Sequence, residues 1–314
     1  MALSFTIAEF LTGSTPFLTI FVDPLSLAFL FGLYGCGVLL VREAAVRWRG
    51  GWSTILFLGL AYGIIEEGFG TKTFFSGASS VVGYFTTYGR WAGVNWVWAV
   101  QLTIFHAVFS IALPILLLSL WMPRTRGRPL VQLRSLAWFL AAFAFTVSVM
   151  FVLSSGDNPS PGILLLFAVL VAGLTGLAWR VRPIALDRFL SGHRPSPRSL
   201  LILGALFVWL FFFTNWVLSQ VVPAPIALIG LVTGLTALAA HWILPEFRST
   251  GADFSRLVLS IGLLSFLIFF AGIVGVTGDW LVVVPLVAVL VLLVYLYRRL
   301  ARPVPRPEVP AHVL

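Results

Sequence analysis

The stretch AYGIIEEGFGTKTFF, residues 61–75, sets two adjacent carboxylates, Glu66 and Glu67, and the only lysine of the chain, Lys72, at the end of an apolar run. The next apolar run carries His106. Carboxylates beside an imidazole and out of water have three uses: to take a proton from water, to bind a cation, or to relay protons. Whether these groups meet depends on depth. After Gly51, Trp52 to Ile65 supply roughly 21 Å of helix before the glutamates, too short to cross about 30 Å of hydrocarbon. The helix is therefore expected to run to about Thr71, which places Glu66 and Glu67 inside the membrane and Lys72 near its boundary.

His106 lies 18 residues before Arg124, and Glu67 lies 18 residues after Arg49. Both stand roughly 27 Å above the flanking arginines. The same count puts Asp23 and Asn215 at a similar depth, so a polar layer is expected in the outer third. Gly59, Gly63, Glu66 and Gly70 share one helical stripe, whose small residues invite a close neighbour. Asn95, Thr103, His106 and Ser110 form the stripe expected to face it. Pro114, four residues beyond Ser110, would free the Ser110 carbonyl and permit a kink.

Glu67 is turned about 100° from Glu66 on an ideal helix, with Lys72 as its expected partner. Two carboxylates at a helix C-terminus, partly out of water, need a cation, a metal or shared protons. Glu66, Glu67 and His106 are thus the candidate catalytic residues. Lys72, Asn95, Thr103, Ser110, Asp23 and Asn215 are the supporting ones. No motif requires a cofactor, and a divalent metal on Glu66 and His106 is compatible with the pattern. Walker, G-x-S-x-G, H-E-x-x-H and Cys/His metal spacings are absent.

These residues must be positioned by membrane helices. The 314 residues are 60% hydrophobic and 10% charged, with mean hydropathy +1.03, far from the balance of a soluble domain. Apolar runs of spanning length fall at about 22–41, 52–71, 94–121, 135–154, 161–179, 199–221, 225–245, 256–276 and 279–297. The fold class expected is all-α, a polytopic cell-membrane protein of about nine transmembrane helices.

The net charge of +9 and isoelectric point near 10.8 would suggest nucleic acid in a soluble protein. Here the arginines cluster between alternate spans: Arg42, Arg47 and Arg49, then Arg124 to Arg134, Arg180 to Arg198, Arg248 and Arg256, and Arg298 to Arg306. That is the positive-inside pattern. It places the N-terminus outside and the C-terminus in the cytoplasm, with the bilayer and no nucleic acid as partner.

Met1 to Phe10 lacks a basic region and contains Glu9, so no cleavable signal peptide is expected. A packing role is expected for the lone Cys36, and no intramolecular disulfide can form. Residues 1–297 read as one membrane domain with an outer loop at about 72–94, either a lid, a re-entrant loop or an aromatic belt. The last six spans form three hairpins with turns at 156–162, 221–226 and 276–279. Residues 298–314 read as a disordered, basic, proline-rich cytoplasmic tail.

The Glu66-Glu67 pair with a nearby cation, followed by His106 on the next helix, resembles the CAAX-processing and bacteriocin-processing (CPBP) family of intramembrane proteases. Its pattern is E-E-x-x-x-R, then F-x-x-x-H, then H-x-x-x-N or H-x-x-x-D. The resemblance implies that Glu66 activates water, that Glu67 supports it in an ion pair, and that His106 orients the water or stabilises the oxyanion. It covers about Glu66 to Ser110. The cation, Lys72, stands one position late, Leu102 replaces the phenylalanine, and His241 is followed at the fourth position by Pro245. Three functions fit these residues: a membrane-embedded hydrolase acting on a membrane-protein or peptide substrate, a proton- or cation-coupled transporter, and a non-catalytic assembly or sensing protein.

Overall fold

The computed structural model describes residues 1–78, 82–154, 157–180, 195–248 and 251–301. The tail beyond Ala301, the arginines at 182, 188, 194, 302 and 306, and part of the turn at 156–162 lie outside the described residues. Among the described residues, eight helices are long and apolar enough to cross a membrane. They are α2 (Pro24–Arg47), α4 (Trp96–Trp121), α5 (Leu133–Leu153), α6 (Pro161–Arg180), α7 (Pro197–Val221), α8 (Pro225–Phe247), α9 (Asp253–Thr277) and α10 (Trp280–Leu300). The glutamate-bearing helix α3, Trp52–Ile64 continued by Ile65–Gly70, joins them. Each span read from hydropathy thus has its helix, within a few residues at either end.

One element was absent from that reading. Helix α1, Ala2–Phe5 continued by Thr6–Phe10, folds inward with Ser4, Ile7, Ala8, Phe10 and Leu11 buried. A run of ten residues is too short to register as a span, yet α1 lies against α4, where the Ser4 hydroxyl donates to Ser110 O at 2.6 Å. Pro114 accounts for that acceptor, because proline has no N–H for the carbonyl four residues earlier.

Of those eight helices, α4 is the most enclosed. Helices α5, α6 and α8 keep most of their surfaces outward. Helix α3 reaches α4 along the glycine stripe: a Cβ at Gly59 would lie 2.8 Å from Ala107 Cα, and one at Gly63 3.0 Å from Thr103 Cα. Helices α7 and α9 cross as closely, with Gly204 on Leu259 and Gly262 on Leu201. Without a hydrophobic force between helices in lipid, such close backbone approach is what holds them.

The loop after α3 is a packed cap. Phe74 and Phe75 are fully buried against Phe167 of α6, and Arg90 pairs with Asn95, and Trp91 with Val94, in a short antiparallel ladder. The Arg90 guanidinium donates to Ser76 O, Phe75 O and Asn95 Oδ1 at 2.8–2.9 Å. Of the aromatics read as a belt, Tyr84 and Trp91 are exposed, whereas Phe74 and Phe75 join one buried cluster and Phe85 and Tyr88 another.

At the other end of the bundle, Glu43 is fully buried and accepts from Arg42, Arg47 and the Leu130 N–H. Arg42 also donates to Thr125 O and Arg128 O. Arg299 caps α4 through Leu120 O and Trp121 O, a cation where the helix dipole favours one. Several arginines read only as topology signals therefore fasten loops as well.

Candidate functional site

Five helices change their winding where their polar groups lie. Residues Thr6–Phe10 of α1, Phe31–Gly35 of α2, Ile65–Gly70 of α3, His106–Ala112 of α4 and Thr214–Leu218 of α7 are π-helical. They carry Glu9, Tyr34, the glutamate pair, His106 with Ser110, and Asn215. A π-turn spaces hydrogen bonds five residues apart and re-aims the side chains within it, and such turns recur at functional sites.

In α3 the wider turn brings Glu66 and Glu67 onto the same imidazole. His106 Nδ1 lies 3.0 Å from Glu66 Oε2, and His106 Nε2 lies 2.9 Å from Glu67 Oε1. All three side chains are buried. His106 Nδ1 also meets Ser110 Oγ at 2.8 Å. The outer oxygen of Glu67 accepts from Thr71 Oγ1 at 3.0 Å and from Thr73 Oγ1, which leaves Glu67 fully engaged. Glu66 is different. Its Oε2, though beside the imidazole and the Tyr62 ring, takes part in no hydrogen bond of normal geometry, and neither does the buried Tyr62 hydroxyl.

Glu9 adds a third carboxylate from α1. It accepts from Thr15 Oγ1 at 2.6 Å and from the Tyr34 hydroxyl. The Tyr34 ring packs 6.1 Å from that of His106, and Tyr62 6.2 Å from it on another side. Glu9, Tyr34, Tyr62, Thr71 and Thr73 did not emerge from the sequence. A charged residue within TIAEF was the available signal for Glu9, and an ideal helical period cannot place residues on π-turns.

Four expectations are corrected. Lys72 does not pair with Glu67. Its backbone turns left-handed at φ 58°, and Nζ donates to Asn158 Oδ1 at 3.1 Å while lying over the Phe151 ring. Glu67 does not face away from Glu66, because both meet His106. Asp23 is half-buried and caps the start of α2, its carboxylate accepting from Leu25 N and Ser26 Oγ. The Ser26 hydroxyl, which outweighs an opposing desolvation effect and is helped by the Leu25 and Ser26 N–H groups, holds that carboxyl below the usual aspartate value. Asn215 is buried, but its amide donates to Phe211 O within α7 and makes no bond to the cluster.

The remaining predicted residues serve as supports. Ser110 contacts the imidazole, and Thr103 gives α3 its backbone contact at Gly63. Asn95 stitches the loop, donating to Thr73 O and Ser76 O, and so fixes the segment that carries Thr73 to Glu67. His241 lies on α8 beside Trp242, apart from the cluster.

One ligand-type atom each from Glu66, Glu67 and His106 lie within 4.8 Å of one another, a spacing that can hold a metal ion. Among the described residues no lysine or arginine forms an ion pair with these glutamates or with Glu9. The arrangement can bind a cation or engage a water molecule between carboxylate and imidazole. A family model described as "Uncharacterized membrane protein family" matches residues 1–313. No curated protein and no solved structure matches the chain.

Proposed function

The chain belongs to that membrane protein family, and from this premise we propose that it is a membrane-embedded hydrolase in which the Glu66–His106–Glu67 cluster engages a water molecule. The observation that carries this reading is the buried Glu66 Oε2, 3.0 Å from His106 Nδ1 and without a hydrogen bond of normal geometry. A buried carboxylate oxygen without a donor is costly to keep, and a water held there repays the cost by donating to it. Glu67 accepts from His106 Nε2 and fixes the ring, while the buried Tyr62 hydroxyl is a donor for an oxyanion. The resemblance to intramembrane proteases makes a peptide bond of a membrane protein the favoured substrate. In that resemblance Glu67 would also have a cation, whereas here Lys72 is turned to Asn158 and Glu67 meets His106 Nε2.

The test compares protein termini, mapped by mass spectrometry, in cells making the wild type and cells making Glu66→Gln at matched folded abundance. New termini in or beside membrane segments, produced by the wild type alone, are the expected result. Coincident maps with a folded Glu66→Gln variant would overturn proteolysis of those proteins, and proton or cation flux in liposomes would be measured next.

A further inference from the structure

We propose that an apolar groove between α3, α4 and α8 holds one acyl chain of an anionic bilayer phospholipid, with the headgroup among the arginines at the groove's end. Helix α8 keeps most of its surface outward, and small side chains leave a gap where it passes α3 and α4. Ala112 of α4 and Thr236, Ala239 and Ala240 of α8 border a cavity of about 100 Å³, with Leu113 and Leu116 of α4 on its wall. Apart from Trp52 and Thr236, every side chain that lines it is aliphatic or phenyl. The Thr236 hydroxyl returns to its own helix, donating to Val232 O at 2.8 Å. A polar ligand would leave its own groups unpaired there. Apolar cavities of this order stay dry and take up hydrocarbon, and in a bilayer the hydrocarbon at hand is an acyl chain.

Charge selects the headgroup. Trp52 and Phe247, their ring centroids 4.3 Å apart, mark one end of the groove, and basic residues collect around that end. The exposed Arg49 stands three residues before Trp52. The Arg256 guanidinium lies over the Phe247 ring at 5.5 Å, and Arg248 follows Phe247 in the chain. Arg126 binds Asp253, whose carboxylate also accepts from Arg256. Four arginines, at 49, 126, 248 and 256, against two carboxylates, Glu246 and Asp253, leave these stretches positive. Basic pockets between membrane helices take anionic headgroups for this reason, and a tryptophan suits the same level of the membrane. Val108 and Ala112 line the groove and belong to the π-helical stretch that carries His106, so the bound chain touches the segment that holds the imidazole. The binding itself does not rest on the hydrolytic reading.

The test reconstitutes the full chain with phosphatidylglycerol or phosphatidylcholine carrying a photoreactive diazirine in one acyl chain, and maps the labelled residues by mass spectrometry after illumination. Leu113 and Leu116 are 1% and 3% exposed, so lipid that merely surrounds the bundle does not reach them. Both should be labelled by the wild type, and more by phosphatidylglycerol, by about fivefold for each arginine engaged. Ala240→Phe fills the gap from α8 and should remove that label while keeping it on Trp138 and Phe145, which face outward from α5. Arg49→Gln should lower the preference for phosphatidylglycerol about fivefold without moving the label.

The wild-type comparison needs no variant. Labels confined to outward residues, equal labelling of the two leucines by both lipids, or a label on them kept by a folded Ala240→Phe chain would each overturn the proposal. A label that disappears as the protein-to-lipid ratio rises would assign the groove to a second copy of the chain and overturn it likewise.

Discussion

At the scale of single residues, the site depends on hydroxyls and carboxylates whose partners come from distant segments. Ser4 is the clearest case: its hydroxyl satisfies the Ser110 carbonyl that Pro114 frees. Ser4→Ala leaves a buried acceptor unpaired, and a loss of about 1–3 kcal/mol is expected, read as a lowered unfolding midpoint in detergent. Asp23 gives a contrasting prediction. Its carboxyl is held low by Ser26 and Leu25, so its contribution is present above the ordinary value of 3.8 and fades as pH falls through the lower folded value. Replacing it with asparagine should flatten the acid limb of the stability profile while leaving any cleavage activity unchanged. The sequence showed that Glu66, Glu67 and His106 share a depth, because depth is a count of residues from flanking arginines. It did not show that Glu67 faces the same ring, because the 100° step holds only for an α-helix and residues Ile65–Gly70 are not one.

Among elements, the glycine stripe was legible for the converse reason: Gly59 and Gly63 lie in the regular part of α3, where the period holds. Both touch the backbone of α4. Gly59→Val forces a branched side chain into a gap where even a Cβ meets Ala107 Cα at 2.8 Å. We expect a loss of about 1–3 kcal/mol and a looser α3–α4 contact, measured as lowered thermal stability together with faster hydrogen exchange around His106. Helix α1 was illegible because it is short and carries a charge, which in isolation reads as a soluble terminus. Its meaning comes from tertiary contacts with α2 and α4, and no local pattern encodes those. The loop at 72–94 was ambiguous for a similar reason, since the burial of Phe74 and Phe75 depends on Phe167, far along the chain.

For the molecule as a whole, the bundle is a multi-pass membrane protein whose basic residues gather at alternate helix ends. The positive-inside bias predicts that Trp91 and Arg124, at opposite ends of α4, lie on opposite sides of the membrane, with Trp91 outside. The only cysteine, Cys36, is buried, so single cysteines at 91 and 124 can be labelled against a quiet background. In intact cells an impermeant maleimide should modify the first and spare the second, and the opposite result would invert the topology.

Helix α1 also constrains the order of assembly. At about 15 Å in length it cannot anchor itself across a bilayer, and its polar groups find acceptors and neighbours only on later segments, Ser110 being 106 residues downstream. The long helices can enter the membrane one by one as they are made, whereas in α1 Glu9 waits for Tyr34 of α2 and Ser4 waits for Ser110 of α4. The cluster is therefore completed late, and in a newly inserted chain Tyr34 beside His106 lacks its Glu9 partner until the first ten residues have docked.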